Sequence, residues 1–335
     1  MPLISVCIPV YNTEPFLLQC LRSVIMQEFA DFEIVVVSDS SRGKDLQGRR
    51  AKKLVRIAQK ECDSFRKSKN LPKLKIKFVE HRENRGILEV RRTLCYEARG
   101  EYICFVDSDD VLEGGALQNL TVPFDRLRDC VDIIQGKSTS GTFDDDGNFV
   151  PSEQNRYNKI TIGELSGHQI FHEFVTEGNV SGMLWAKLIK RQLLVNAFEN
   201  IPYTECNFAE DYLISFFVMQ AARTYTGIDQ NVYRYRMTSG VSSSRKIDTL
   251  RKWEMICSTA SVFTVISEWL KKNQPKTNIT TEEVDFIRRK TTIYLANNLI
   301  QMKQTVILEL QTAARQMLCD YWGEHFVQTV ELKTN

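Results

Sequence analysis

The chain lacks any apolar run long enough to cross a bilayer. Its longest, LISFFVMQAA from Leu213, falls far short of the ~20 residues a membrane helix needs and reads instead as a core helix. The opening MPLISVCIPVYN has neither the basic start nor the small-residue cleavage site of a secretory leader, so none is expected. No CxxC pair occurs among the nine cysteines, and their odd number argues against a complete disulfide framework. Cys7 in ISVCIPV and Cys104 in YICFV sit in apolar runs, where a thiol behaves as a small hydrophobe, and a reducing, cytoplasmic setting is expected. There is no GxGxxG after the first strand, no GxxxxGK followed by Ser or Thr, and no GxSxG. Those absences weigh against dinucleotide oxidoreductases, P-loop enzymes and nucleophile-elbow hydrolases. Histidine is scarce: His168 and His172 have the i,i+4 spacing of a metal pair, but with no third ligand in view they read as packing or surface residues. A net charge of only +2 implies no nucleic-acid partner.

What is present is an ordinary globular composition, 43% apolar and 26% charged over 335 residues, enough for one large α/β domain or two smaller ones. The first third alternates β-branched runs with helical patterns, as parallel α/β sheets do. Strands are predicted at Leu3–Val10, Phe32–Val37, Leu74–Val79 and Glu101–Val106. Thr13 is placed to cap a helix with Pro15 in its first turn, and a helix over Ile87–Ala98 is expected to stop at Gly100. Further on, the pattern predicts a helix over Gly114–Arg128, an apolar run at Val131–Ile134, and loop or hairpin from Gly136 to Lys159. Thr161 with Glu164 resembles a capping box opening a helix to Glu177. Beyond Ser239 the chain reads as mainly helical, with Ile287, Ile293, Leu299 and Met302 at helical spacing.

Arg42 to Lys77 carries fourteen Lys or Arg against Asp45, Glu61 and Asp63. Apolar residues at Leu46, Leu54, Ile57, Ala58, Cys62 and Phe65 recur at helical spacing, so this segment reads as an amphipathic helix with a cationic outer face. Such a face is either simply solvated or a contact for an anionic membrane surface or acidic acceptor.

The string with most chemistry in it is FVDSDD, Phe105 to Asp110. Asp107, Asp109 and Asp110 at the end of an apolar strand raise one another's pKa unless they share a cation. Carboxylates suit a hard divalent ion, Mg2+ or Mn2+, and strand ends of open α/β sheets are where ligands bind. Alone, the string reads equally as a metal site and as an acidic turn.

It stands in company. SVCIPVYN, VVVSDSS, ENRG and FVDSDD, in that order, together resemble glycosyltransferase family 2, whose members pair a strand ending P-x-Y-N with D-D-G-S, N-x-G, A-R-N and D-x-D-D. SGMLWAKLIKRQLL, FAEDYL and YRYRMTSGVSSS extend the likeness loosely to Ser244. The resemblance implies an inverting enzyme of the GT-A fold, with a mixed, mostly parallel sheet flanked by helices and a mainly α-helical C-terminal region. On that basis 1–240 is the catalytic domain, with 1–112 its nucleotide-binding and 113–240 its acceptor-binding half, and 241–335 is the helical C-terminal region.

The same resemblance implies roles for single residues. Pro9 and Tyr11 lie against the nucleotide base, Asp39 bonds it, and Asn84 and Arg91 complete the nucleoside pocket, with Arg92 the rival of Arg91 because LEVRRT departs from the usual pattern. Asp107, Ser108 and Asp109 match D-x-D, Asp109 being the leading metal ligand and Asp107 the second. Asp211, with Glu210 beside it, matches the general base. Trp185, Lys187 and Asp110 fall on the acceptor side, and Arg236 and Ser242 match a stretch that closes over the diphosphate. Ser38 and Ser40 replace the first Asp and the Gly of D-D-G-S. The implied partners are a nucleotide-sugar donor, UDP-sugar first, with Mn2+ or Mg2+, and a glycan or lipid-linked acceptor of cell-surface polysaccharide synthesis. A peripheral position at the inner membrane face through segment 42–77, and an oligomer, are compatible with it. On local grounds alone Asp211 reads first as a helix N-terminal acid favoured by the dipole, and it is the resemblance that reverses this. Trp185, Tyr203, Tyr212, Tyr233 and Tyr235 are open to stacking on sugars or to core packing. Two other readings compete: a nucleotidyltransferase on a related scaffold, and a non-catalytic nucleotide-sugar-binding scaffold.

Overall fold

The computed structural model describes residues 1–127, 131–144, 146–155, 157–237 and 246–334. Parallel strands β1 (Ile4–Val10), β2 (Phe32–Ser38), β3 (Ile76–Glu80) and β4 (Tyr102–Phe105) lie in the order β3-β2-β1-β4. Every residue of β1 and β2 is buried, as strands covered on both faces must be. Alternation sorts their side chains: Ile4, Val6, Ile8 and Val10 enter one core layer, and Cys7 enters the other. Helices α1 (Glu14–Ile25) and α2 (Ala51–Ser68) cover the first face, and α3 (Ile87–Glu97) the second.

The second half of the sheet brings antiparallel pairs. After the short β5 (Val111–Leu112), helices α4 (Ala116–Thr121) and α5 (Phe124–Leu127) lead to β6 (Ile133–Phe143), β7 (Phe149–Pro151) and β8 (Gly163–Ser166). Helix α6 (His168–His172) runs into a π-helical turn at Glu173–Glu177, followed by β9 (Lys187–Lys190), α7 (Arg191–Asn200), α8 (Glu210–Ala221) and β10 (Thr224–Arg236). One sheet runs β3-β2-β1-β4-β9-β6-β10-β5, with β7 on β6 and β8 on β10. β9 is antiparallel to both β4 and β6 and so joins the two halves. The mixed sheet flanked by helices is the architecture the sequence leads one to expect.

Helices α9 (Leu250–Cys257), α10 (Thr259–Asn273), α11 (Thr281–Thr305), α12 (Gln311–Trp322) and α13 (Glu324–Thr334) follow. α10 sets Val262, Phe263, Ile266 and Leu270 into the core layer that holds α8, while Trp253, Leu299, Leu318 and Val330 centre a smaller cluster of their own. The apolar segment LISFFVMQAA is the core helix α8. Among the described residues, no helix is long and apolar enough to cross a membrane. Eight of the cysteines are described, all buried free thiols.

Several local expectations are corrected. The helix over 114–128 is broken into α4 and α5 at Pro123, which has no N–H to carry the ladder on; 128–130 lie outside the described residues. Thr161 and Glu164 open no helix, because residues 163–166 pair with β10 and spend their backbone bonds there. The capping box is at Thr280, whose hydroxyl accepts from the Glu283 N–H while the Glu283 carboxylate accepts from the Thr280 N–H. Thr13 caps nothing with its side chain; its hydroxyl is 2.6 Å from that of Ser108. Gly100 is not a helix stop: a Cβ there would lie 2.5 Å from the Ser5 nitrogen, so the glycine is needed for close approach to β1. The amphipathic helix of the basic segment covers 51–68 alone, Leu46 is fully exposed, and Arg66 turns inward to donate to the carbonyls of Phe29, Ala30 and Pro72. The loop or hairpin expected over 136–159 is, by contrast, met as a hairpin, with β7 antiparallel to the end of β6. Ile287, Leu299 and Met302 are buried in α11, but Ile293 is exposed.

Candidate active site

Two cavities open at the C-terminal ends of β1 and β4. The first, about 430 Å³, is lined by Pro9 and Tyr11 after β1, Asp39 after β2, Asn84 and Arg91, and Asp107, Ser108 and Asp109 after β4. Arg251, Glu254 and Met255 of α9 close its far side, a contribution for which the C-terminal sequence gives no motif. The second, about 670 Å³, is aromatic, with Tyr157, Phe174, Trp185, Tyr212, Tyr235 and Tyr294 in its walls. Five residues line both: Asp107, Asn207, Phe208, Glu210 and Asp211.

The chain is bent hard to present these groups. Asn12 (φ 56°), Ser40 (φ 53°), Ala186 (φ 58°) and Ala209 (φ 62°) all adopt left-handed backbone beside site residues. For residues with a Cβ such conformations cost roughly 1 kcal/mol or more each and persist where surrounding structure enforces them. Ser40 stands where the family pattern has glycine, and it accepts that strain. Gly86 (φ 84°) of ENRG sits where a Cβ would come 2.4 Å from the Asn207 side-chain oxygen.

Asp39 is 1% exposed and satisfied by protein donors: the Asn84 side-chain amide at 2.9 Å, the Arg85 and Gly86 N–H groups at 2.9 Å, and the His81 ring at 2.7 Å. The other His81 nitrogen lies 2.9 Å from the Thr93 hydroxyl, so this histidine props the carboxylate that shapes the 84–86 turn. Nothing in the sequence around His81 signals this role.

Arg91 is the hub. Buried, it places Nε 3.0 Å from Glu210, and Nη2 3.2 Å from both Asp107 and Asp211, with its guanidinium over the Phe105 ring. Among the described residues its Nη1 has no hydrogen-bond partner, and neither has Asp211 Oδ1, whose contact to Arg91 is close but poorly aligned. Burial pushes the Asp211 carboxyl well up, Arg91 opposes this, and Glu210 and Asp107 add to it. Arg92 points elsewhere, to Glu89 and to the carbonyls of Phe198 and Ile201.

Asp110 lines neither cavity. It is buried behind the strand end, accepting from the Tyr233 hydroxyl at 2.8 Å and the Arg236 N–H at 2.7 Å. Burial and the neighbouring Asp109 and Asp107 raise its pKa well above the usual range. Arg236 lies between the rings of Phe16 and Phe143 and donates to the Asp109 carbonyl, so it clamps the DSDD turn from behind. Tyr233 likewise braces the turn, accepting from the Asp107 N–H, and Trp185 stacks on it at 4.8 Å. Trp185, Tyr212 and Tyr235 line the second cavity, Tyr233 belongs to the core, and Tyr203 lies 74% exposed under Arg92. Ser242 lies outside the described residues. His168 and His172 meet no metal cluster; both contact the buried Glu283, at 2.9 and 3.2 Å.

Lys187 is buried, donating to the Met183 carbonyl at 2.5 Å. Burial brings its ammonium down to about 7, with Asp211 opposing. An unfolded lysine titrates near ~10.4, so between about pH 7 and pH 10 the unfolded chain holds the extra proton and folding becomes more favourable as pH rises. Lys187→Met lacks this dependence. Relative to that variant, the wild type is expected to gain on the order of 3 kcal/mol between about pH 6 and pH 10, read from urea midpoints. A difference independent of pH would contradict the buried ammonium.

No group of three or more His, Cys, Asp or Glu among the described residues is arranged to hold a metal by itself. Asp107 and Asp109 both line the first cavity and offer hard oxygen donors of the kind that suits a divalent ion.

An open sheet with its cleft at the strand ends, crossed by a short acidic turn, is the GT-A architecture, and solved structures agree. The chain is similar to S. aureus TarS 1-349 at TM-score 0.50 and 20% identity, covering 98% of this chain and 91% of that one. It is similar to the mannosyltransferase PcManGT from Pyrobaculum calidifontis at TM-score 0.53 and 16% identity, covering 99% and 87%. Residues 5–176 match the sequence profile of Glycosyl transferase family 2, and the chain belongs to that family. Among curated proteins it is 28% identical over 239 residues to the uncharacterized glycosyltransferase EpsJ of Bacillus subtilis, a match spanning 70% of this chain and 61% of EpsJ. It is 25% identical over 248 residues to the glycosyltransferase GlyG of Streptococcus pneumoniae, spanning 71% and 72%.

Proposed function

We propose that this chain transfers a sugar from a nucleotide-sugar, a UDP-sugar first, to a hydroxyl of a glycan or lipid-linked acceptor in cell-surface polysaccharide synthesis, with inversion at the anomeric carbon. One observation carries the reading: a polar cleft and an aromatic cavity share a wall, and the partly exposed carboxylate of Asp211 stands in that wall beside Arg91. Aromatic walls suit sugar faces, and the polar cleft over Asp39, Asn84 and Asp107 suits a nucleotide. TarS 1-349 has been solved with UDP, and PcManGT with GDP-Man and Mn2+, which motivates both the donor class and the ion.

In this reading Asp211 accepts the proton of the acceptor hydroxyl. The freed oxygen bonds to the anomeric carbon as the bond to the nucleoside diphosphate breaks on the opposite face. Arg91 holds Asp107, Glu210 and Asp211 in register. Asp109, with Asp107, would hold a divalent ion, which when bound neutralises charge on the diphosphate. A cytoplasmic, membrane-peripheral setting reached through the exposed cations of α2 belongs to the same proposal.

Calorimetry with UDP, with and without Mn2+, tests it. The wild type is expected to bind UDP more tightly with Mn2+, and Asp109→Ala to lose that metal-dependent gain. A transfer assay with UDP-sugars is expected to release UDP, whereas pyrophosphate release would mark a nucleotidyltransferase. No UDP binding at millimolar concentration would sink the reading and leave a scaffold.

A further inference from the structure

The lining of the second cavity carries charges of both signs. At the wall shared with the nucleotide cleft stand Asp107, Glu210 and Asp211. Elsewhere in its lining are two ammonium groups, Lys159 and Lys290. Lys290 Nζ lies 4.2 Å from the centre of the Tyr212 ring, and a Cβ on Gly178, another lining residue, would be 3.6 Å from Lys159 Nζ. Among the described residues neither lysine forms an ion pair with a carboxylate.

Lys159 is exposed to solvent, whereas Lys290 is mostly shielded from water, with the ring faces of Phe174 and Tyr212 against its charge. Burial first, and then the charge of Lys159, bring the Lys290 ammonium down to about 8. An anion seated near both would satisfy them and remove the mutual repulsion. Asp107, Glu210 and Asp211 repel the negative group of such a ligand and the lysines attract it, which leaves an uncharged hydroxyl as the part that can approach Asp211. The cavity thus selects the orientation of an acceptor by charge, while the rings of Phe174, Tyr212 and Trp185 cover its apolar faces.

We propose that the acceptor is anionic, carrying a phosphoryl or carboxylate group that is held by Lys159 and Lys290. The proposal rests on the reading of this cavity as the acceptor site, and it narrows the substrate class within it.

The test uses the full chain with saturating UDP and Mn2+, so that the nucleotide cleft is blocked. Glycerol 3-phosphate is titrated against glycerol, and glucuronate against glucose, by calorimetry or ligand-observed NMR. At least one anionic probe is expected to bind tenfold or more tightly than its neutral counterpart, and the probe that does so identifies the group as phosphoryl or carboxylate. In the Lys159→Gln/Lys290→Gln double variant that preference is expected to vanish with UDP affinity unchanged, and Lys290→Arg is expected to keep it. The proposal is overturned if both anions bind no better than the neutral probes, or if the double variant keeps the preference. Should UDP fail to bind while the lysine-dependent preference persists, the donor reading falls and the anion site stands.

Discussion

Asp211→Asn is expected to lower turnover by about three orders of magnitude while leaving UDP affinity within about twofold, because the loss of a general base costs typically 10²–10⁴ and the amide fills the same space. Asp211 sits in the first turn of α8, directly after the left-handed Ala209, and lines both cavities. The helix dipole and Arg91 favour its ionised form, but burial with Glu210 and Asp107 wins and raises its pKa well above that of a free aspartate. A base must be deprotonated to act. Turnover is therefore expected to climb with pH through a range above the ordinary carboxylate value of ~4, and to lose that limb in the variant. An Asn variant with wild-type turnover would place the base elsewhere, and an acid limb at the ordinary carboxylate value would contradict the burial.

Arg91→Met is expected to destabilise the fold by about 3–5 kcal/mol at neutral pH, the usual cost of stripping one partner from a buried ion pair. The reason is the company this guanidinium keeps. Asp107, Glu210 and Asp211 lie within 3.2 Å of it, and the carboxylates left behind repel one another in a poorly solvated wall. The pH dependence has a definite sign. Without Arg91 the Asp211 carboxyl loses the charge that opposes its rise, so the folded variant holds a proton that the unfolded chain releases above ~4, and its deficit widens as pH rises from ~4 to ~7. Urea unfolding at two pH values measures this. Arg91→Lys is expected to recover only part, since a single ammonium cannot fork to three carboxylates. A deficit under about 1 kcal/mol would mean that the carboxylates are hydrated in solution.

The parallel half of the sheet and its cleft are legible in the sequence because they are local. Each strand is a short β-branched run, and Pro9, Asp39 and Asp107 stand where those runs end. Legibility fails where distant segments meet. Arg91 can be assigned to a nucleoside pocket from its motif, but its contact with Glu210 spans 119 residues and no spacing announces it. Helix α9 enters the cleft from beyond the motif-bearing region, and His81 acts through Asp39 rather than through a pattern of its own. Ala186 and Ala209 give no hint of the left-handed turns they make, because alanine there is held by its surroundings and not by preference. At Thr161 and Glu164 a local capping pattern loses to pairing with β10, which satisfies the same backbone groups.

The wall common to the two cavities has a thermodynamic consequence. Asp107, Asn207, Phe208, Glu210 and Asp211 face both, so a ligand that rests on these side chains in one cavity acts on groups a ligand in the other also meets. Whatever factor the first compound contributes to the affinity of the second, the second must return to the first, because the two routes around the binding cycle share their end states. Any coupling between the cavities would need no moving domain, since among the described residues five belong to both.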